Sequence, residues 1–138
     1  MLRIRLAFTL LIVSIVGACA NGQDTRAAEK VVTTFREQMA TAALGDIYDA
    51  AAADWKKAVS RSDSDAFLGA VNRKLGAVKT TTRTGWRDNY STDGHVVILQ
   101  YHTEFEHGGG DETFTVRVDG DNGQLAGYNI NSMAMLVN

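Results

Sequence analysis

His95-Val-Val-Ile-Leu-Gln-Tyr-His-Thr-Glu-Phe-Glu106 decides the fold. Successive side chains of a strand point to opposite faces. Val97, Leu99, Tyr101, Thr103 and Phe105 therefore share one face, and Val96, Ile98, Gln100, His102, Glu104 and Glu106 share the other. Apolar residues on both faces at its start predict a strand that is central there, and the longest in the chain. A strand needs neighbours on both edges, and the flanking sequence supplies them.

Downstream, Gly108-Gly-Gly110 reads as a hairpin loop, because three glycines in a row oppose regular structure on entropic grounds. Glu112 to Val118 returns with Phe114, Val116 and Val118 alternating against Thr113, Thr115 and Arg117. Asp119-Gly-Asp-Asn-Gly123 turns again, and Leu125 to Ile130 makes the last strand. Upstream, Val78, Thr80, Thr82, Thr84 and Trp86 alternate with Lys79, Thr81 and Arg83, and Arg87-Asp-Asn-Tyr-Ser-Thr-Asp-Gly94 reads as the turn before His95.

Before Gly76 the period is helical. Ala28, Val31, Val32, Phe35, Met39 and Ala42 make one face, which Gly45 ends, and Asp46 is placed to cap the following helix. Ile47, Tyr48, the alanines at 50 to 53, Trp55, Ala58 and Val59 continue it. Ser62 with Asp65 starts a third helix whose stripe is Phe67, Ala70, Val71 and Leu75, with Gly76 as its stop. Helices with one apolar face followed by a meander predict an α+β fold, in which N-terminal helices pack on a curved antiparallel sheet of about four strands. With 138 residues, 45% of them hydrophobic, the chain suits one domain.

The first residues read as an address. Arg3 and Arg5 precede an apolar run, Leu6 to Val16, broken only by Thr9 and Ser14 and closed by Gly17-Ala18. That is the pattern of a secretory signal, and the run is shorter than the roughly 20 apolar residues that cross a bilayer. Val16-Gly17-Ala18-Cys19 resembles the bacterial lipobox, and Cys19 is the only cysteine. The resemblance implies cleavage after Ala18, a lipid on the Cys19 sulfur, further acylation such as palmitate, and attachment to the cell envelope. With Ala20 following, it implies the outer membrane, periplasmic face, of a Gram-negative source. The expected organisation is a signal peptide over 1–18, a lipidated end and short polar linker over 19–26, and one domain over 27–138. Loss of Arg3 and Arg5 would make the formal charge of −2 more negative by two units. An acidic surface without a Lys/Arg cluster argues against nucleic acid.

A second resemblance rests on Ala43-Leu-Gly-Asp46, Leu75-Gly76-Ala77, Leu99 to Phe105, Glu112-Thr113 and Gly127-Tyr128-Asn129-Ile130. Together these are similar to a family of exported bacterial domains of unknown function, within the nuclear transport factor two-like, or cystatin-like, superfamily. The resemblance implies a cone formed by a curved sheet around helices.

Several residues invite chemistry. His102, Glu104, Glu106 and His107 have strand spacing that places imidazole and carboxylates near one another, yet a solvated strand face is the preferred reading and no metal or other cofactor is expected. Tyr48, Tyr101, Tyr128, Asp46 and Asp49 are the groups an acid/base enzyme would enlist, but no catalytic motif is matched and no catalytic residue is assigned. No Gly-x-Ser-x-Gly elbow occurs. Trp55, Phe67, Trp86, Tyr101 and Tyr128 are the candidate lining of an apolar pocket. The preferred function is a membrane-anchored, non-catalytic binding module for a small apolar ligand, a lipid or an envelope protein. The alternatives are an isomerase- or hydratase-type enzyme using the cone interior, and a subunit that forms a homodimer through its exposed strand and the apolar tail Met133 to Val137.

Overall fold

A computed structural model describes residues 20–137; Ala18 and Cys19, with the rest of the signal sequence, lie outside the described residues. The fold is α+β. Four helices, α1 (Ala20–Ala40), α2 (Leu44–Ala50), α3 (Ala53–Ala58) and α4 (Arg61–Leu75), precede an antiparallel sheet in the order β1 (Val78–Ser91), β2 (Gly94–Phe105), β3 (Gly108–Asp119), β4 (Asn122–Asn131), and a last turn of helix, α5, spans Met133–Leu136. The sheet is curved and open rather than closed into a barrel. Among the described residues no helix is long and apolar enough to cross a membrane.

The polar stretch expected to be a linker is instead the start of α1, which begins at Ala20. Extending an existing helix fixes one residue for each bond gained, whereas starting one is costly, so a packed segment carries polar neighbours into the helix with it. The packed segment begins at Ala27. Ala27, Ala28, Val32 and Phe35 are buried, and Val31 and Met39 border the same cluster. This face lies across β2, β3 and β4, against Val97, Leu99, Phe114, Val116, Val118 and Leu125. The central strand is as expected, with Val97, Leu99, Thr103 and Phe105 buried on its inner face.

The helix starts differ from expectation. Asp46 caps nothing: α2 follows Ala43, whose side chain accepts no bond, and Asp46 lies within its first turn. Ser60 rather than Ser62 caps α4, its hydroxyl accepting from the Asp63 N–H at 3.1 Å. The shift of register buries Ser64, Leu68, Val71 and Leu75 and leaves Phe67 at the rim. Ser64 in turn accepts from the Trp55 indole N–H at 3.2 Å, and Ala52 donates to the Leu125 carbonyl at 2.9 Å, so the α2–α3 connection covers the outer edge of β4.

Two strands correct the simple alternation. The β1 register against β2 shifts between Val78 and Thr80 and again between Arg83 and Gly85. Each extra residue exchanges the two faces. Thr81 thus pairs with Thr103, Arg83 with Tyr101 and Trp86 with Leu99, so Val78, Thr81, Arg83 and Trp86 face the helices, not Val78, Thr80, Thr82, Thr84 and Trp86. β1, at 14 residues, is also longer than the 12-residue β2. Gly108 to Gly110 are not a loop but the opening of β3, paired with Phe105, Glu104 and Thr103. Their smallness serves packing. A Cβ on buried Gly110 would stand 3.1 Å from the Ser132 Cβ and 3.3 Å from the Asn131 carbonyl, where the chain folds back over β3. The exposed apolar residues after it, Met133, Leu136 and Val137, lie on and beyond α5.

Candidate functional site

β3 carries Glu112 in phase with Phe114, Val116 and Val118, on the face turned to the helices. At 2% exposure its carboxylate has left water almost completely, a transfer that is tolerated only with paired charge and full hydrogen bonding. Three elements supply the partners. Arg36 on α1 donates from Nη2 to Oε2 at 2.8 Å, the Thr103 hydroxyl on β2 donates to the same oxygen at 2.5 Å, and the Tyr128 hydroxyl on β4 donates to Oε1 at 2.8 Å. Arg36 also sits over two rings, its guanidinium carbon 5.4 Å from the Tyr101 centroid and 5.5 Å from that of Phe114. Ring faces attract cations, which further offsets the loss of water.

Burial, then the neighbouring Glu112 charge and the bond to it, raise the Tyr128 pKa strongly, so the phenol remains a donor. Tyr101 is raised as well, by burial first and then by the charge of Glu29. Phe35, Phe114 and Tyr128 form a ring cluster with centroids 4.8 to 5.2 Å apart, which fixes the angle from which Tyr128 reaches the carboxylate.

Beside this cluster is a chamber of about 150 Å³, walled by Phe35, Met39, Val71 and Phe105 and reached by Arg36, Glu112 and Tyr128. Asn72 holds its rim by donating from Nδ2 to the Met39 carbonyl at 2.9 Å. A larger groove of about 190 Å³ runs between α1 and β4, but the charged side chains along it, Lys30 and Asp121, are exposed, and nothing in it has been removed from water at a cost. A few convergent polar groups in a mainly apolar concavity are the usual mark of a ligand site, and the smaller chamber has them.

The five expected lining residues divide. Trp55, Phe67 and Tyr128 border one open depression on the far side of α4, and Tyr128 alone also reaches the Glu112 chamber. Tyr101 borders neither, its ring lying under the Arg36 guanidinium. Trp86, 48% exposed, stands on the edge strand β1 and lines neither. The groups an acid/base enzyme would enlist do not converge either. Tyr48 donates to the Val59 carbonyl at 3.3 Å, and Asp49 pairs with Arg61, whose hydrogen bond holds its carboxyl below the usual range. Glu112 itself is absent from the sequence-based candidates. The signal was present: a carboxylate in phase with three apolar residues of a strand, opposite a strand that places Thr103 in phase with Leu99 and Phe105.

His102 lies on the outer face, where Nδ1 is 2.7 Å from Asp111 and Nε2 3.0 Å from Glu104. Glu106 turns away to accept from the Ala77 N–H at 3.1 Å. Among the described residues no three His, Cys, Asp or Glu side chains come together to hold a metal. The bonds to Asp111 and Glu104 raise the His102 pKa. A group raised by folding stabilises fully below its unfolded value, and the contribution is lost as pH rises through the folded one. His102→Gln is therefore expected to lower the urea midpoint at about pH 5 and leave it unchanged at about pH 9.

No protein-family model matches the chain, and no curated protein is significantly similar to it.

Proposed function

We propose that the chain is a lipid-anchored envelope protein that holds a small, mainly apolar molecule in the Glu112 chamber without acting chemically upon it. The chamber carries the reading: its walls are apolar, and its one buried carboxylate is neutralised by Arg36 and oriented by Thr103 and Tyr128. A general base needs a lone pair free to reach a substrate proton. Glu112 already accepts three hydrogen bonds, two of them on Oε2, and this arrangement suits orientation better than proton removal. Native mass spectrometry of protein extracted from its own membranes is expected to show a retained mass that is lost in Ala40→Phe, where the added ring enters the chamber beside Met39. Identical masses, lipid and chain only, in both proteins would exclude the ligand.

The anchor rests on Arg3, Arg5, the apolar run and Val16-Gly17-Ala18-Cys19. The α+β fold is compatible with the nuclear transport factor two-like resemblance. Cys19→Ala is expected to leave the melting temperature of the domain unchanged, to abolish palmitate labelling, and to move the protein out of the outer-membrane fraction.

A further inference from the structure

The charges around the chamber select what enters it. Arg36 and Glu112 compensate each other across 2.8 Å, so the site is neutral before any ligand arrives. A ligand anion beside Arg36 would also stand near Glu112, leaving the chamber with an uncompensated negative charge. A ligand cation would meet Arg36 and a carboxylate whose hydrogen bonds are already largely made. In surroundings of low polarity either is strongly disfavoured.

A purely apolar ligand wastes what remains on offer. Only Nη2 of Arg36 has protein partners among the described residues, Glu112 and Thr103, while the guanidinium carries donors on Nε and Nη1 as well. The Arg36 side chain is 18% exposed and borders the chamber. Tyr128 and Thr103 spend their protons on Glu112. What remains at this wall is one lone pair on Glu112 Oε1, the Asn72 amide oxygen at the rim, and the donors of Arg36, which are charge-assisted and therefore the strongest of the three, on a cation that is already neutralised. We infer that the chamber takes an uncharged molecule with an apolar body and a hydrogen-bond acceptor, such as a carbonyl oxygen, directed at Arg36. This rests on the binding reading above and narrows it. The volume, about 150 Å³, lies below the range of drug-sized sites, so the acceptor-bearing body is small.

Four probes of one shape test it: cyclohexanone, methylcyclohexane, cyclohexanecarboxylate and cyclohexylammonium. Each is titrated against the full chain in lipid nanodiscs, with the free probe concentration fixed by dialysis, and read from the methyl resonances of Met39 and Val71. Cyclohexanone is expected to bind at least tenfold more tightly than the other three. In the double variant Arg36→Met with Glu112→Gln, which removes both charges together and whose folding is checked by its melting curve, cyclohexanone and methylcyclohexane should bind alike. Equal or tighter binding of either charged probe, or of methylcyclohexane, to the unaltered chain would overturn the inference while the chamber stands as a binding site. Absence of any shift at Met39 and Val71 with all four would overturn the binding reading itself.

Discussion

Glu112→Ala is expected to destabilise the folded domain by about 3 to 5 kcal/mol, seen as a fall in the urea midpoint at unchanged slope. The loss does not measure the worth of the pair, because a buried ion pair gains little over a well-packed apolar one. The loss comes from what is left behind. Arg36, drawn in over Tyr101 and Phe114, would keep its charge and lose the carboxylate that compensates it, and the Tyr128 and Thr103 hydroxyls would lose their acceptor. Glu112→Gln, which keeps the shape and an acceptor oxygen, should cost less than Glu112→Ala, and Arg36→Met with Glu112→Gln should recover part of even that. A double variant no more stable than Glu112→Ala would show that charge compensation is not what holds the cluster.

Phe114→Ala is expected to cost a similar amount, about 3 to 5 kcal/mol, for a different reason. Phe114 is fully buried and meets Phe35, Tyr101 and Tyr128 edge-on or tilted, with centroids 5.0 to 5.9 Å away. Its removal opens a cavity that three rings from three different elements cannot all close. The ring is also the floor beneath Arg36. Groups that share a neighbour couple, so Glu112→Ala should cost measurably less in the Phe114→Ala background than alone, since the guanidinium would already have regained water. Strict additivity in urea melts of the four proteins would mean that Phe114 supports packing only and not the placement of Arg36.

The fold class was legible because it depends on period. Helical spacing up to Gly76 and alternation after it need only the residue types, and the apolar face of α1 from Ala28 to Met39 is buried as its spacing implies. Features set by contact across the chain were not legible. The two register shifts in β1 arise in its pairing with β2, and no local signal in a run of threonines marks which residue is extra. Gly108 to Gly110 obey the entropy argument for a loop taken alone, yet the return of the chain at Asn131 and Ser132 would bring a Cβ at Gly110 into tight contact with both. The same holds for the site. Tyr128 was a candidate from its residue type, and Glu112 carried a signal in its phase with Phe114, Val116 and Val118, but its counter-ion Arg36 is identified only when α1 is laid across β3. Trp86, prominent in sequence, stands half exposed on the edge strand β1.

The helical start of α1 gives the proposed anchor a mechanical meaning. Were Cys19 acylated as proposed, the lipid would sit one residue before a helix that begins at Ala20, and α1 would be a mast rather than a leash. At 1.5 Å per residue, Arg36 stands at most roughly 24 Å along the mast from Ala20. An upright mast would lift the chamber mouth beyond the lipid headgroups into the aqueous compartment. Its occupant would then arrive by diffusion through water and not by sliding out of the bilayer, and lateral drift of the anchored chain would carry that occupant along the membrane at a constant height.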